Sequence, residues 1–208
     1  MKIVIFDMDG TLIDSKKDIT ISINYIREIN HNLPPLTEEY VVEVINMDNR
    51  DLPKLFYNTD SYEKDDKELF EMHYSSQCIQ NPYLYEGILE MLEALIKSGV
   101  KISVATNAPT QFAQKMLSHL GVADMFDAII GADRVSNSKP DPEMLHLILD
   151  HYKFDKKEDR AFMVGDSYKD IKSAKNAEID AIFVTWGFSI ETLHNRVIDS
   201  PSELLNNV

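Results

Sequence analysis

Lys2-Ile3-Val4-Ile5-Phe6-Asp7-Met8-Asp9-Gly10-Thr11 opens the chain, and its reading decides the fold. An apolar run of strand length, rich in β-branched residues, stops at two carboxylates spaced i, i+2 and then at a glycine. The pattern predicts a buried strand that delivers two acids to its own carboxyl end. In open α/β sheets the ligand crevice lies just outside the carboxyl ends of the strands, so this edge is where chemistry is expected. A calcium loop does not fit, because position 12 of such a loop falls on Asp18 rather than on a glutamate.

The 208 residues, 44% of them apolar, suffice for a full core, as one domain with an insertion or two unequal domains. The formal charge of −14 and the lack of a basic block argue against a nucleic-acid or anionic-membrane surface. An anionic small substrate remains compatible, since salt screens charge over roughly 8 Å and a local cation outweighs the global sum. A single cysteine, Cys78, fits a reducing compartment. With no charged-then-apolar leader and no run of transmembrane length, the expectation is a cytoplasmic protein, monomer or homodimer.

From about Asp18 to Gln80 the pattern is helical: Ile19, Ile23 and Ile26, then Tyr40, Val41, Val44 and Ile45, then Leu52, Leu55 and Phe56, then Leu69, Phe70, His73 and Tyr74. Pro34-Pro35 separates the first two helices, and Thr37 is placed to cap the second. From Gly87 the rhythm changes. Helices over 88–97, 112–120, 143–152 and 169–177 alternate with strands over 100–105, 128–130, 161–164 and 181–184. Such alternation predicts a Rossmann-like α/β fold: a parallel sheet of about five strands, the first included, with helices on both faces. The expected division is a core domain of residues 1–14 and 86–208 and an inserted, all-helical cap of residues 15–85. Leaving and re-entering beside the edge where Asp7 ends, the insert is expected to exclude water and choose substrates.

Later strands also end in polar residues. The second runs into Thr106-Asn107, the fourth into Gly165-Asp166-Ser167-Tyr168-Lys169-Asp170, and Ser138-Lys139-Pro140-Asp141-Pro142 lies between them. Two carboxylates about 4 Å apart repel by roughly 4 kcal/mol at an effective dielectric near 20, so a cluster of them either takes up protons or binds a cation. Few hard oxygen ligands with room for water suit Mg²⁺. Lys139 and the Thr106-Asn107 pair supply donors for an anion such as phosphate.

Taken in order, Asp7-Met8-Asp9-Gly10-Thr11, Thr106-Asn107, Lys139-Pro140 and Gly165-Asp166 through Asp170 resemble the four motifs of the haloacid dehalogenase superfamily. The helical insert resembles its helical-cap class, and the Lys-Pro-Asp-Pro and Gly-Asp-Ser segments are similar to its phosphoglycolate phosphatase-like branch. The resemblance implies a Mg²⁺-dependent phosphatase acting on a small phosphorylated metabolite. Asp7 would be the nucleophile that carries a transient phosphoryl group. Asp9 would protonate the leaving alcohol and then activate water. Thr106 and Lys139 would hold the transferring group, and Asn107 would position substrate oxygens. Asp166 would bind the metal with the Asp7 carboxylate and the Asp9 main chain, supported by Asp170. Met8 and Arg50 join the substrate-binding set.

Some positions depart from the family pattern. Ala108 stands where this branch often has a lysine, Glu86 where a proline is frequent, and Glu178 where a glycine is frequent. The cap segment Asn46-Met47-Asp48-Asn49-Arg50 lacks a common glycine; Arg50 is either a ligand for a substrate carboxylate or second anion, or a solvated arginine. Phosphoglycolate is the first substrate expected. A phosphomutase of the same superfamily, a pyrophosphatase and a catalytically silent regulator are the alternatives.

Overall fold

The computed structural model describes residues 1–47, 50–63, 65–189 and 194–208. Asp48 and Asn49 of the expected cap segment lie outside the described residues. Among the described residues the strands are β1 (Lys2–Phe6), β2 (Ile13–Asp14), β3 (Tyr83–Leu84), β4 (Lys101–Ala105), β5 (Ala128–Ile130), β6 (Arg160–Gly165), β7 (Asp180–Val184) and β8 (Val197–Ile198). Six form one parallel sheet in the order β5-β4-β1-β6-β7-β8. The sheet has one strand more than the apolar runs predict. β8 is two residues long, too short for any periodicity, and is defined only by its pairing with Phe183 and Val184.

Register explains why the polar strand ends converge. Phe6 lies level with Val104 on one side and Val164 on the other. Asp7 therefore emerges just past the last paired residues, and its N–H still donates to the Val164 carbonyl at 2.8 Å. Thr106 and Asp166 leave neighbouring strands at nearly the same height. Alternation along β1 sends Ile3 and Ile5 to one face, where they pack with Met144, Leu145, Ile148, Met163 and Ala174. Val4 and Phe6, fully buried, point the other way. A strand covered on both faces needs the unbroken apolar run seen from Ile3 to Phe6.

The described residues separate into two compact units, Met1–Asp14 with Tyr83–Val208, and Ser15–Pro82. Tyr83 and Leu84 belong to the first because β3 pairs antiparallel with β2, Asp14 opposite Tyr83 and Ile13 opposite Leu84. The second contains α1 (Lys16–His31), α2 (Glu38–Asn46), a five-residue π-helical turn at Pro53–Tyr57 and α3 (Asp66–Gln77). Its core is Ile23, Ile26, Val41, Val44, Phe56 and Tyr57. Thr37 caps α2 as its position predicts, accepting from the Tyr40 N–H at 3.3 Å. The expected helix through Leu52, Leu55 and Phe56 is only the π-turn, closed by Asn58 at φ 59°. Of the six histidines, treated as structural or surface residues, His31 stacks on Tyr57 and donates from Nε2 to Asp66 Oδ1 at 2.9 Å, and His73 meets Ser22 at 2.9 Å.

The first unit also contains α4 (Ile88–Lys97), α5 (Thr110–His119), α6 (Glu143–His151) and α7 (Tyr168–Asn176). Among the described residues no helix is long and apolar enough to cross a membrane.

Candidate active site

Asp7, Asp166 and Asp170 gather at the carboxyl edge of the sheet, with one oxygen of each within 4.8 Å of the others. All three are buried. Lys139 lies between two of them: its Nζ donates to Asp7 Oδ1 and to Asp170 Oδ1, each at 2.6 Å. With all three acids ionised, the one ammonium among the described residues of the cluster would leave two negative charges uncompensated.

Each group feels that imbalance. Burial pushes the Asp7 carboxyl well above the usual carboxylate range; Lys139 pulls it back, while Asp170 and Asp166 push it further up. Burial, then the Asp170 charge, lifts Asp166 to about 7 against the bonds it accepts from Phe188, Ser189 and Thr11. Burial works against the Lys139 charge too, but Asp170 and Asp7 outweigh it and hold the ammonium above its ordinary value. A bound cation would relieve the repulsion that lifts the acids.

Local structure fixes every member. Gly10, at φ 87°, turns the chain after Asp9, and a Cβ there would come within 2.5 Å of Asp166 Oδ2. Asp170 stands in the first turn of α7, where its Oδ2 accepts from the Ser167 N–H at 3.0 Å and hydroxyl at 2.6 Å. Asp166 is held at both oxygens. Oδ1 accepts the Thr11 hydroxyl at 3.2 Å, and Oδ2 accepts the N–H groups of Phe188 and Ser189 at 2.7 and 3.4 Å.

The remaining expected residues take different places. Asp9 follows Asp7 at the mouth of β1, half-buried, and the carboxylate cluster does not include its side chain. Thr106 is buried at the end of β4; its Oγ1 accepts from the Ala108 N–H at 3.1 Å and keeps its own proton to donate. Asn107 does something the sequence did not suggest. Its Nδ2 donates to the Lys139 carbonyl at 2.9 Å, anchoring the segment that carries the lysine, while its buried Oδ1 has no hydrogen-bond partner among the described residues. The Met8 side chain is fully buried in the core, and its carbonyl accepts from the N–H groups of Thr11, Leu12 and Ile13. Arg50 belongs to the helical unit, half-buried, with Nη1 lacking a partner among the described residues.

Sequence reasoning assigned no role to Thr11, Ser167 or the Trp186–Ser189 turn. Thr11 and Ser167 sit inside quoted motifs, so their hydroxyls were findable; main-chain donors carry no side-chain signature. Tyr85 was also missed. Burial, then the charges of Asp14 and Asp166, keeps its phenol protonated far above its ordinary value.

A family model described as haloacid dehalogenase-like hydrolase matches residues 4–184, from β1 to the end of β7. The chain belongs to the haloacid dehalogenase-like hydrolases. An N-acetylmuramic acid 6-phosphate phosphatase of Pseudomonas aeruginosa is 32% identical, with 99% of this chain and 94% of that protein covered. A phosphoglycolate phosphatase of Vibrio parahaemolyticus is 30% identical over 100% of this chain and 96% of its own length. The crystal structure of a predicted phosphoglycolate phosphatase from Haemophilus somnus superposes with a TM-score of 0.85 at 26% identity, covering 100% of this chain and 97% of that one. This haloacid dehalogenase-like hydrolase is a phosphatase of the phosphoglycolate phosphatase-like branch, a phosphoric monoester hydrolase acting on small phosphomonoesters.

Proposed function

We propose that the protein hydrolyses a small phosphomonoester that also carries a carboxylate, in two steps through a phosphorylated Asp7. The observation that carries this reading is the Lys139 ammonium 2.6 Å from both Asp7 and Asp170 inside a buried cluster of three acids. The ammonium offsets part of the upward push that burial gives the Asp7 carboxyl and sets an anion-binding cation beside the nucleophile.

Asp7 attacks phosphorus; the bond from phosphorus to the ester oxygen breaks, and Asp9 gives that oxygen its proton. In the second step water attacks the same phosphorus, Asp9 takes the proton, and the bond to Asp7 breaks to release inorganic phosphate. Lys139 and the Thr106 hydroxyl bind the non-bridging oxygens as negative charge shifts among them. Asn107 holds the lysine segment and offers a buried amide oxygen to the substrate.

The donor set fits Mg²⁺. Opposite ligands of an octahedral Mg²⁺ stand about 4 Å apart, and the three acids offer hard oxygens within a comparable span and with charge to spare. Asp7, Asp166 and Asp170, with the Asp9 main chain, would hold it, and the bound ion would supply charge neutralisation to the incoming phosphate.

The relatives' names support the substrate class: phosphoglycolate and N-acetylmuramic acid 6-phosphate each pair a phosphomonoester with a carboxylate. Arg50, whose buried Nη1 is unpaired among the described residues, is the residue proposed to bind that second anion. The test is phosphate release from a panel of carboxylated and plain phosphomonoesters, with Mg²⁺ and with EDTA, plus acid-quenched mass spectrometry of the N-terminal peptide. Metal-dependent release and one phosphoryl group on Asp7 are expected. Metal-independent release, or phosphorylation elsewhere, sinks the mechanism; an isomerised product in place of free phosphate marks a mutase.

A further inference from the structure

Asp166 sits in a closed circuit of contacts that none of the four motifs contains. Its Oδ1 accepts the Thr11 hydroxyl; the Thr11 carbonyl accepts the Trp186 indole N–H at 3.0 Å; and two residues on, the Phe188 N–H returns to Asp166 Oδ2 at 2.7 Å. Gly187 closes the ring. A Cβ there would overlap both the Gly10 carbonyl and the Asp166 side chain, so only a glycine lets the turn approach this closely.

We infer that the Trp186–Ser189 turn is the positioning element for Asp166, with Gly187 and Trp186 setting the affinity of the acidic cluster for its divalent cation. The inference rests on the reading of Asp166 as a metal ligand. A carboxylate with free rotation must be ordered when the ion arrives, and that ordering subtracts from binding. Donors on both oxygens remove this cost by holding one orientation beforehand, and outer partners of this kind typically set metal affinity by 10–100-fold. The turn reaches Asp166 directly through two main-chain N–H groups, and its indole reaches Thr11, whose hydroxyl holds the other Asp166 oxygen, so within the turn the device specifies only a missing side chain at Gly187 and a ring donor at Trp186.

Isothermal titration of the full chain with Mg²⁺ alone reads this without substrate. Gly187→Ala is expected to bind about 10–100-fold more weakly than wild type with an unchanged far-UV circular dichroism spectrum. Trp186→Phe, which keeps an aromatic ring but loses the five-membered ring that carries the N–H, is expected to weaken binding in the same direction, and it carries the test should Gly187→Ala fail to fold. Tyr152→Phe is the comparison. It removes bonds to Ser103 and Asp127 in the same unit without touching the cluster, and its Mg²⁺ affinity should equal wild type. Equal affinities in wild type and both turn variants overturn the inference and leave the metal reading standing, as does a loss that Tyr152→Phe shares. A wild-type chain that takes up no Mg²⁺ overturns both.

Discussion

Replacing Lys139 by methionine removes the ammonium from the buried acidic cluster while keeping a stem of similar length. Its Nζ carries two charge-assisted bonds of 2.6 Å, and the side chains of Lys139 and Asp170 are almost wholly excluded from water. Each such bond contributes about 1.5–3 kcal/mol. Together that is about 3–6 kcal/mol, in line with the 3–5 kcal/mol typical of stripping a buried ion pair of one partner. Lys139→Met should therefore destabilise the protein by about 3–5 kcal/mol in EDTA. Part of that loss should return with saturating Mg²⁺, because a cation at the acids takes over some of the ammonium's electrostatic work. Turnover should not return, since of the two donors proposed for the phosphate oxygens only the uncharged Thr106 hydroxyl remains. Urea unfolding reads the stability. The chain's single tryptophan, Trp186, lies in the same unit as the cluster and bonds to Thr11, so its emission reports that unit. A loss within about 1 kcal/mol of zero in EDTA, the scale of a surface pair, would refute the reasoning.

Arg50→Ala should raise KM for carboxylated phosphomonoesters and leave a plain aryl phosphate unchanged; an equal effect on both removes Arg50 from substrate selection. Asp66 is buried in the helical unit, where burial raises its pKa but bonds from Asn30, His31 and the Glu63 N–H outweigh that and lower it overall. Its contribution is present above the unfolded carboxyl pKa of about 3.9 and is lost as pH falls through the lower folded value. Asp66→Asn should thus cost about 1–3 kcal/mol near neutrality and lose less stability than wild type on acidification, as urea titrations across that window would reveal. Glu178 stands at φ 55°, in the left-handed region, at the position where the family often has glycine. Glu178→Gly relieves that strain at the expense of an exposed pair with Lys156, so calorimetry should record a higher Tm; a lower one contradicts the account.

The edge that carries the candidate site is legible in the sequence because the strands that build it are long enough to show their apolar runs and are followed closely by polar side chains. Ile3 to Phe6, Ile102 to Ala105 and Ala161 to Val164 each point to the polar residue that follows them. β2, β3 and β8 are invisible for the opposite reason: two-residue strands exist only through their partners. The turn that grips Asp166 escaped because main-chain N–H groups are common to almost every residue, and a glycine after a strand says only that something is close. Asn107 has the place where the family resemblance implies a substrate ligand, and the bond from its Nδ2 to a carbonyl 32 residues away is one that its neighbours in sequence do not signal.

The antiparallel pairing of Ile13–Asp14 with Tyr83–Leu84 brings the outgoing and returning chain side by side before residues 15–82 begin. A fold spliced in at such a seam leaves the sheet's wiring unaltered whatever its length or content. Another insert could then be joined at the same two residues without re-threading the sheet, and a short reverse turn joining Asp14 to Tyr83 should yield a free-standing core.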